Sequence, residues 1–67
     1  MIIFLKYNGD GYKVSFVQNN IYKAEKIHDE LGDGYAIFDE GEDWYRYGVN
    51  FVKQNFVEVE ENMRQAV

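Results

Sequence analysis

The sequence contains no cysteine, no proline and no threonine, and it has one serine and one histidine. Without cysteine the chain has neither disulfides nor thiolate metal sites, two devices that commonly stabilise small domains. A nucleophile–base pair could only join Ser15 with His28, and nothing in the sequence brings the two together. We therefore predict no catalytic residue, no cofactor and no metal site, and expect that the chain is not an enzyme.

Long apolar runs and basic clusters are also missing. The first apolar run ends after five residues, with no basic leader before it, so it does not read as a signal peptide. No run approaches the roughly 20 residues needed to cross a bilayer. Seven Lys and Arg against twelve Asp and Glu give a net charge of −5, which disfavours phosphate backbones and anionic lipids. These absences predict a soluble, cytoplasmic, acidic protein with no membrane partner and no direct nucleic-acid binding.

Aromatic residues are abundant, at 18% of 67 residues. A chain this short buries only about 60% of the surface that its unfolded form exposes, so the rings have to supply much of the core. Twelve rings are more than a minimal core encloses, and contiguous exposed rings often mark partner surfaces. The alternative is that tyrosines lie flat on strands with their hydroxyls in water.

Alternating polarity and turn signals predict a single β domain over residues 1–60, followed by a tail at 61–67. The predicted strands are residues 1–7, 21–27, 35–39, 44–48 and 56–60, with a helical turn at 49–55. Residues 11–17 alternate as an extended arm or strand. A continuous C-terminal helix is the alternative for 49–66, because its apolar residues recur at spacings of three and four.

The stretch AIFDEGEDWYRYG (36–48) is predicted to be a hairpin. Gly41 would supply the unusual backbone angles of the turn, while Glu40, Glu42 and Asp43 keep its tip in water. An EF-hand reading of residues 29–40 fails at its third position, where Leu31 cannot ligate calcium.

Several stretches carry a resemblance to a known fold. "NIYKAEKI" after a polar break, "GYAIFDE", a strand with Trp and Tyr, and a closing "NFVEVE" resemble small SH3-like barrel proteins of Gram-positive bacteria and their phages, whose function is uncharacterised. The resemblance implies a mainly β, five-stranded SH3-like barrel with a short helical turn before the last strand.

The resemblance also implies a binding face. SH3 domains bind proline-rich peptides on aromatic residues between a long arm and an acidic turn, and the matching positions here are Tyr12, Tyr35, Trp44 and Tyr47. The segment VKQNFVEVE lacks the proline that those domains usually carry before the final strand, which departs from the pattern of a peptide binder.

Acidic residues are concentrated beside these rings, because residues 29–43 hold seven of the twelve acids. Beside Tyr35, Trp44 and Tyr45, these acids, with Asp33, Asp39 and Asp43 among them, would form one acidic and aromatic face. One hypothesis is a non-catalytic interaction module of phage or prophage origin that binds a protein partner. The alternative is an acidic inhibitor or nucleic-acid mimic that acts on a host nucleic-acid enzyme or defence protein. A homodimer through the exposed valines of residues 56–60 also stays open.

Overall fold

Five antiparallel strands form one sheet. A computed structural model describes residues 1–9 and 15–60. The strands are β1 (Ile2–Tyr7), β2 (Ile21–Asp29), β3 (Gly32–Phe38), β4 (Trp44–Gly48) and β5 (Phe56–Val59), in the spatial order β4-β3-β2-β1-β5. Within the described residues β4 and β5 are the two edges, so strand pairing does not close the sheet. The prediction of a mainly β protein with five strands is confirmed.

A short helix, α1 (Val49–Asn55), connects the two edge strands. It ends where the backbone of Phe56 becomes extended, and Val52 is its buried residue. The predicted helical turn at 49–55 is therefore confirmed. The alternative of one continuous helix is wrong at residues 56–59, because Tyr7 and its neighbours on β1 pair with this segment as a strand.

The turn between β2 and β3 is tighter than predicted. β2 continues to Asp29 and β3 already begins at Gly32, so the seven residues between the predicted strands 21–27 and 35–39 are reduced to a two-residue turn. Gly32 has a φ of 97°, which a residue with a side chain rarely adopts. His28 pairs with Asp33 in the register, so both belong to the ladder rather than to a loop.

One face of the sheet carries the core. Alternate residues of β1, β2, β3 and β5 point to this face, and α1 packs over it. The buried core residues are Leu5, Tyr7, Phe16, Tyr22, Ala24, Ile37, Val52 and Phe56.

Phe16 lies at the centre of this core although it belongs to no strand or helix. Its ring centroid lies 5.0–5.3 Å from those of Tyr7, Tyr22, Tyr47 and Phe56. Offset and edge-on ring pairs at such distances add to the free energy gained from burial alone. The abundant rings therefore supply the core, as the sequence predicted.

Candidate interaction surface

The turn between β3 and β4 is organised by a buried carboxylate. Asp39 is 6% exposed, and its Oδ1 accepts hydrogen bonds from the backbone N–H groups of Gly41 (3.0 Å) and Asp43 (3.3 Å). Its own N–H and C=O bond to Asp43 and Glu42 across the turn. An aspartate that bonds the backbone two residues ahead is a common turn-forming device. Hydrogen bonds to Asp39 therefore stabilise the conformation of this turn.

The expectation that Gly41 supplies the unusual backbone angles is wrong. Gly41 is not among the residues with positive φ, whereas Glu42 has a φ of 62°. Gly41 instead lies close to Oδ1 of Asp39, which a β-carbon at this position would approach to 3.3 Å.

The next acid in the turn is bound to the rest of the protein. Tyr22 donates its hydroxyl hydrogen to Oε2 of Glu40 at 2.6 Å, and the Asn20 amide donates to the same oxygen at 3.1 Å. The Tyr22 oxygen accepts the backbone N–H of Val17 at 2.7 Å. Burial, followed by the bond to Glu40, raises the pKa of Tyr22 to about 12, and the same bond lowers the pKa of Glu40. This network fixes the turn to the β1–β2 connection.

Three exposed residues, Asp43, Trp44 and Tyr45, lead from the turn into β4, and we call them the β4 surface. Trp44 is 46% exposed and Tyr45 is 56% exposed. The two rings point to opposite faces of the sheet because they are consecutive in a strand. Trp44 packs on Phe38 with centroids 5.3 Å apart, and the amine of Lys23 lies 5.2 Å from the centroid of Phe38.

A cleft opens on the core side of the β4 surface. Its lining consists of Ser15, Asp39, Gly41, Asp43, Tyr45, Arg46 and Tyr47. The ring of Tyr47 is fixed by contacts with Phe16 (5.3 Å) and a stacked contact with Phe51 (5.2 Å). Burial, and after it the negative charge of Asp39, raises the pKa of Tyr47, so a carboxylate and a phenol face the same space.

The side chain of Arg46 binds the β2–β3 turn, at the other end of β3 from the cleft. Its Nε and Nη2 donate to the two carboxylate oxygens of Asp29 at 2.7 and 3.0 Å, and Nη2 also donates to the carbonyl of Gly32 at 3.1 Å. The Arg46 guanidinium lowers the pKa of Asp29, and the pKa of Arg46 is raised in turn. This two-pronged contact holds the β2–β3 turn against β4.

The predicted aromatic residues fall on different faces. Tyr35 and Tyr47 are direct cross-strand partners and both pack against the core. Trp44 lies on the other face of the sheet, because it is three residues from Tyr47 along one strand. Tyr12 lies outside the described residues. Tyr35 and Tyr47 are therefore brought together, and Trp44 is separated from them.

The predicted acidic residues are also divided. Asp33 forms an exposed 2.7 Å pair with His28 at the start of β3. Asp39 and Asp43 lie together in the turn at the far end of the strand, about 20 Å away at the usual rise per residue. Asp43 is exposed, but Asp39 is buried and occupied with the turn.

Most of the acids in residues 29–43 have partners in the protein. Asp29 binds Arg46, Asp33 binds His28, and the turn residues Asp39 and Glu40 are hydrogen-bonded as described above. Glu30, Glu42 and Asp43 are the three that show no side-chain bond within the described residues. Asp29, Asp33 and Glu40, the acids that an EF-hand loop would bring to one ion, thus have separate partners within the protein.

Tyr45 was expected beside the acidic and aromatic face but was not among the predicted binding residues. The sequence pattern places it next to a hairpin tip, where exposed side chains are expected. Strand parity separates Trp44 from Tyr47 and places Tyr45 on the same face as Tyr47. The bond between Tyr22 and Glu40 joins residues 18 apart in sequence, and no local pattern indicates it.

Comparison of the chain with protein-family models, curated proteins and solved structures gave no match. Over residues 1–9 and 15–60, no three His, Asp or Glu side chains are grouped so that they could hold a metal ion. Within the same residues, none of the helical structure has the length and apolar character needed to span a membrane.

Proposed function

We propose that the protein is a non-catalytic interaction module of phage or prophage origin that docks on another protein through the β4 surface. The observation that carries the proposal is the exposure of two large rings, Trp44 and Tyr45, on an edge strand. The phage or prophage origin is supported by the sequence resemblance alone. An SH3-like arrangement is part of the proposal, and the strand order and the helix that connects the edge strands support it.

The two rings have the properties of interface anchors. Trp and Tyr are enriched among the residues that contribute most to binding, since they bury a large area at a small loss of side-chain entropy. About half of each ring is still exposed. Burying about 100 Å² more of each would contribute roughly 2.5 kcal/mol per ring at 25 cal/mol per Å².

The edge position of β4 adds a second source of affinity. Within the described residues β4 pairs only with β3, which leaves backbone groups along its outer edge. A partner strand can add to such an edge through main-chain hydrogen bonds while its side chains meet the flanking rings. Trp44 and Tyr45 lie on the two faces of this edge and would contact a partner strand from both sides.

The acidic inhibitor, our alternative from the sequence, is less well supported. A mimic of nucleic acid needs carboxylates that are free to meet cations, and four of the seven acids in residues 29–43 already bind groups of this protein. Asp33 also lies at the other end of β3 from Asp43. The rings are therefore the better explanation for binding, and the remaining acids would tune it.

A photo-crosslinking experiment tests the proposal. p-Benzoylphenylalanine is placed at Tyr45, and the protein is irradiated in lysate of its source organism. We expect a discrete crosslinked partner, which is then purified and titrated against the Trp44→Ala and Tyr45→Ala variants. Loss of an anchor ring in such interfaces typically weakens binding by about 2 kcal/mol, or roughly thirtyfold.

Two controls make the result specific. The same crosslinker at Val57, which is 50% exposed on the opposite edge strand, should not capture this partner. Leu31→Ala removes an exposed apolar side chain from the β2–β3 turn and should leave the affinity unchanged. Equal capture from both edges, or equal affinity of the Trp44 and Tyr45 variants and the parent protein, would contradict the proposal.

A further inference from the structure

We infer that the cleft beside the β4 surface receives an arginine side chain of the protein partner. This inference rests on the proposed function, because the partner supplies the arginine. The cleft lies at the β3–β4 turn, about 20 Å along β3 from the β2–β3 acidic turn. Of the residues predicted from the sequence to form a binding face, its lining includes Tyr47, Asp39 and Asp43 but not Tyr35, Trp44 or Asp33.

The charge of the cleft favours a cation. Asp39 and Asp43 contribute two carboxylates to its lining, and Arg46 is the cation there. The guanidinium of Arg46 is turned to Asp29 and the carbonyl of Gly32, so it does not neutralise the two acids within the cleft. A positively charged ligand would offset the negative charges of Asp39 and Asp43.

The carboxylate of Asp39, which lines the cleft, can accept a further hydrogen bond. Asp39 is more than nine-tenths buried, and the turn amides occupy only its Oδ1. Its Oδ2 receives no hydrogen bond from the described residues. A carboxylate oxygen with unused lone pairs is an acceptor for a ligand N–H group.

Asp39 also borders a depression on the other side of the turn, together with Lys23 and Phe38. That depression already contains a cation of this protein, the Lys23 ammonium over the Phe38 ring. The cleft is therefore the side on which a cation from another molecule would be accepted.

The walls of the cleft suit a planar cation. Tyr45 and Tyr47 are alternate residues of β4 and so project on the same side, about 7 Å apart. Tyr47 is held in place by its neighbours in the core, while Tyr45 is exposed. A guanidinium stacks on aromatic faces and donates from its edge to carboxylates at the same time. These properties favour arginine over lysine.

The direct test uses the blocked tripeptide acetyl-Gly-Arg-Gly-amide, titrated into the isotope-labelled protein and followed by NMR. We expect saturable shifts of the Tyr45 and Tyr47 ring signals and of the Asp43 amide. Replacing arginine with citrulline, which keeps the shape but removes the charge, should weaken binding at least about tenfold. The lysine peptide should bind more weakly than the arginine peptide.

Asp43→Asn and Glu42→Gln form a matched pair of variants. Each removes one exposed charge from the same turn, but only Asp43 lines the cleft. We expect Asp43→Asn and Tyr45→Ala each to weaken binding of the arginine peptide at least about threefold, and Glu42→Gln to stay within about twofold. Amide spectra establish that each variant keeps the fold.

Equal binding of the citrulline peptide, an equal effect of the two charge variants, or the absence of any shift would overturn the inference. The two proposals fail separately. If Asp43→Asn leaves the crosslinked partner's affinity unchanged while Trp44→Ala lowers it, the arginine cleft is wrong and the β4 surface stands. If the arginine peptide binds but the ring variants keep the partner's affinity, the docking proposal is wrong.

Discussion

The two hairpin turns have similar compositions but are built differently. Both the β2–β3 turn and the β3–β4 turn combine acids with glycine. The first is held from outside, by Arg46 of β4, which reaches across β3 to Asp29. The second is held from within, by buried Asp39 and by the bond from Tyr22 to Glu40. Composition therefore indicates a turn but does not indicate how strongly the turn is attached to the core.

The largest effect is expected from Asp39→Ala, which removes the acceptor for two turn amides. We expect a loss of about 2 to 3 kcal/mol in the free energy of unfolding, because the bonds are charge-assisted and the amides would lose their partner. Urea denaturation monitored by Trp44 fluorescence measures it. Asp39→Asn keeps an acceptor oxygen and should retain most of the stability. If Asp29→Ala were as damaging as Asp39→Ala, the contrast between the turns would fail.

Gly34→Ala is expected to have the next largest effect. A β-carbon here would lie 2.9 Å from the backbone oxygen of Tyr47 and 3.0 Å from the Arg46 guanidinium carbon. Overpacking of this kind typically costs about 1 to 3 kcal/mol. Gly48, the cross-strand partner of Gly34, has no atom within 4 Å of the place that a β-carbon would occupy, so Gly48→Ala is the matched control. Thermal unfolding should separate the two variants; equal stability would contradict the close approach at Gly34.

Tyr22→Phe tests the attachment of the second turn. Loss of the hydroxyl leaves the Val17 N–H without its acceptor and Glu40 with the Asn20 amide as its remaining donor, and we expect a loss of about 1 kcal/mol at neutral pH. Because the pKa of Tyr22 is raised from 10.0 to about 12 by folding, the unfolded chain loses this proton first as pH rises. The free energy of unfolding should therefore fall between pH 10 and about 12.

In the Tyr22→Phe variant, the fall in unfolding free energy caused by deprotonation of Tyr22 should disappear. The fall caused by Tyr47, whose pKa is also raised, should stay. On the acid side Glu40 contributes stability above its ordinary pKa of 4.5, which is lost as pH falls through its lowered folded value. Denaturation measured across both pH ranges tests whether the free energy of unfolding falls at alkaline pH and at acid pH as expected. An unchanged alkaline slope in the variant would show that Tyr22 is not the responsible group.

The smallest effect is expected from Glu42→Gly. Glu42 has a φ of 62°, where a side chain is strained and glycine is not. Relief of the strain, partly offset by the greater entropy of glycine in the unfolded chain, should raise stability by about 0.5 kcal/mol. Glu42→Ala keeps the β-carbon and should give no such gain. Chemical denaturation of the pair measures the difference, and a less stable glycine variant would contradict it.

Local patterns predicted the elements of this fold well. Alternating polarity located all five strands, and the predicted change from a helical turn at 49–55 to a strand at residue 56 is correct. The strand ends near Gly32 were predicted less accurately. There the contact of Arg46 with Asp29 and the Gly32 carbonyl supports a longer pairing of β2 with β3. That contact joins residues far apart in sequence, which no local pattern specifies.

The candidate surface was only partly predictable. Trp44 and Asp43 are exposed as the sequence suggested, whereas Asp39, which has the same local character, is buried. The difference arises from packing around the turn and not from any property of the residue. Strand register also decided that Tyr35 meets Tyr47, and register depends on turn geometry that composition does not define.

The central position of Phe16 limits the insertions and deletions that this protein can tolerate. Because the ring that fills the centre of the interior comes from the connection between β1 and β2, residues 15–20 of that connection are part of the folding unit. Insertions or deletions there are tolerated only if they return this one ring to the same place. A segment that by length and position would ordinarily be free to vary is thereby constrained from inside the molecule.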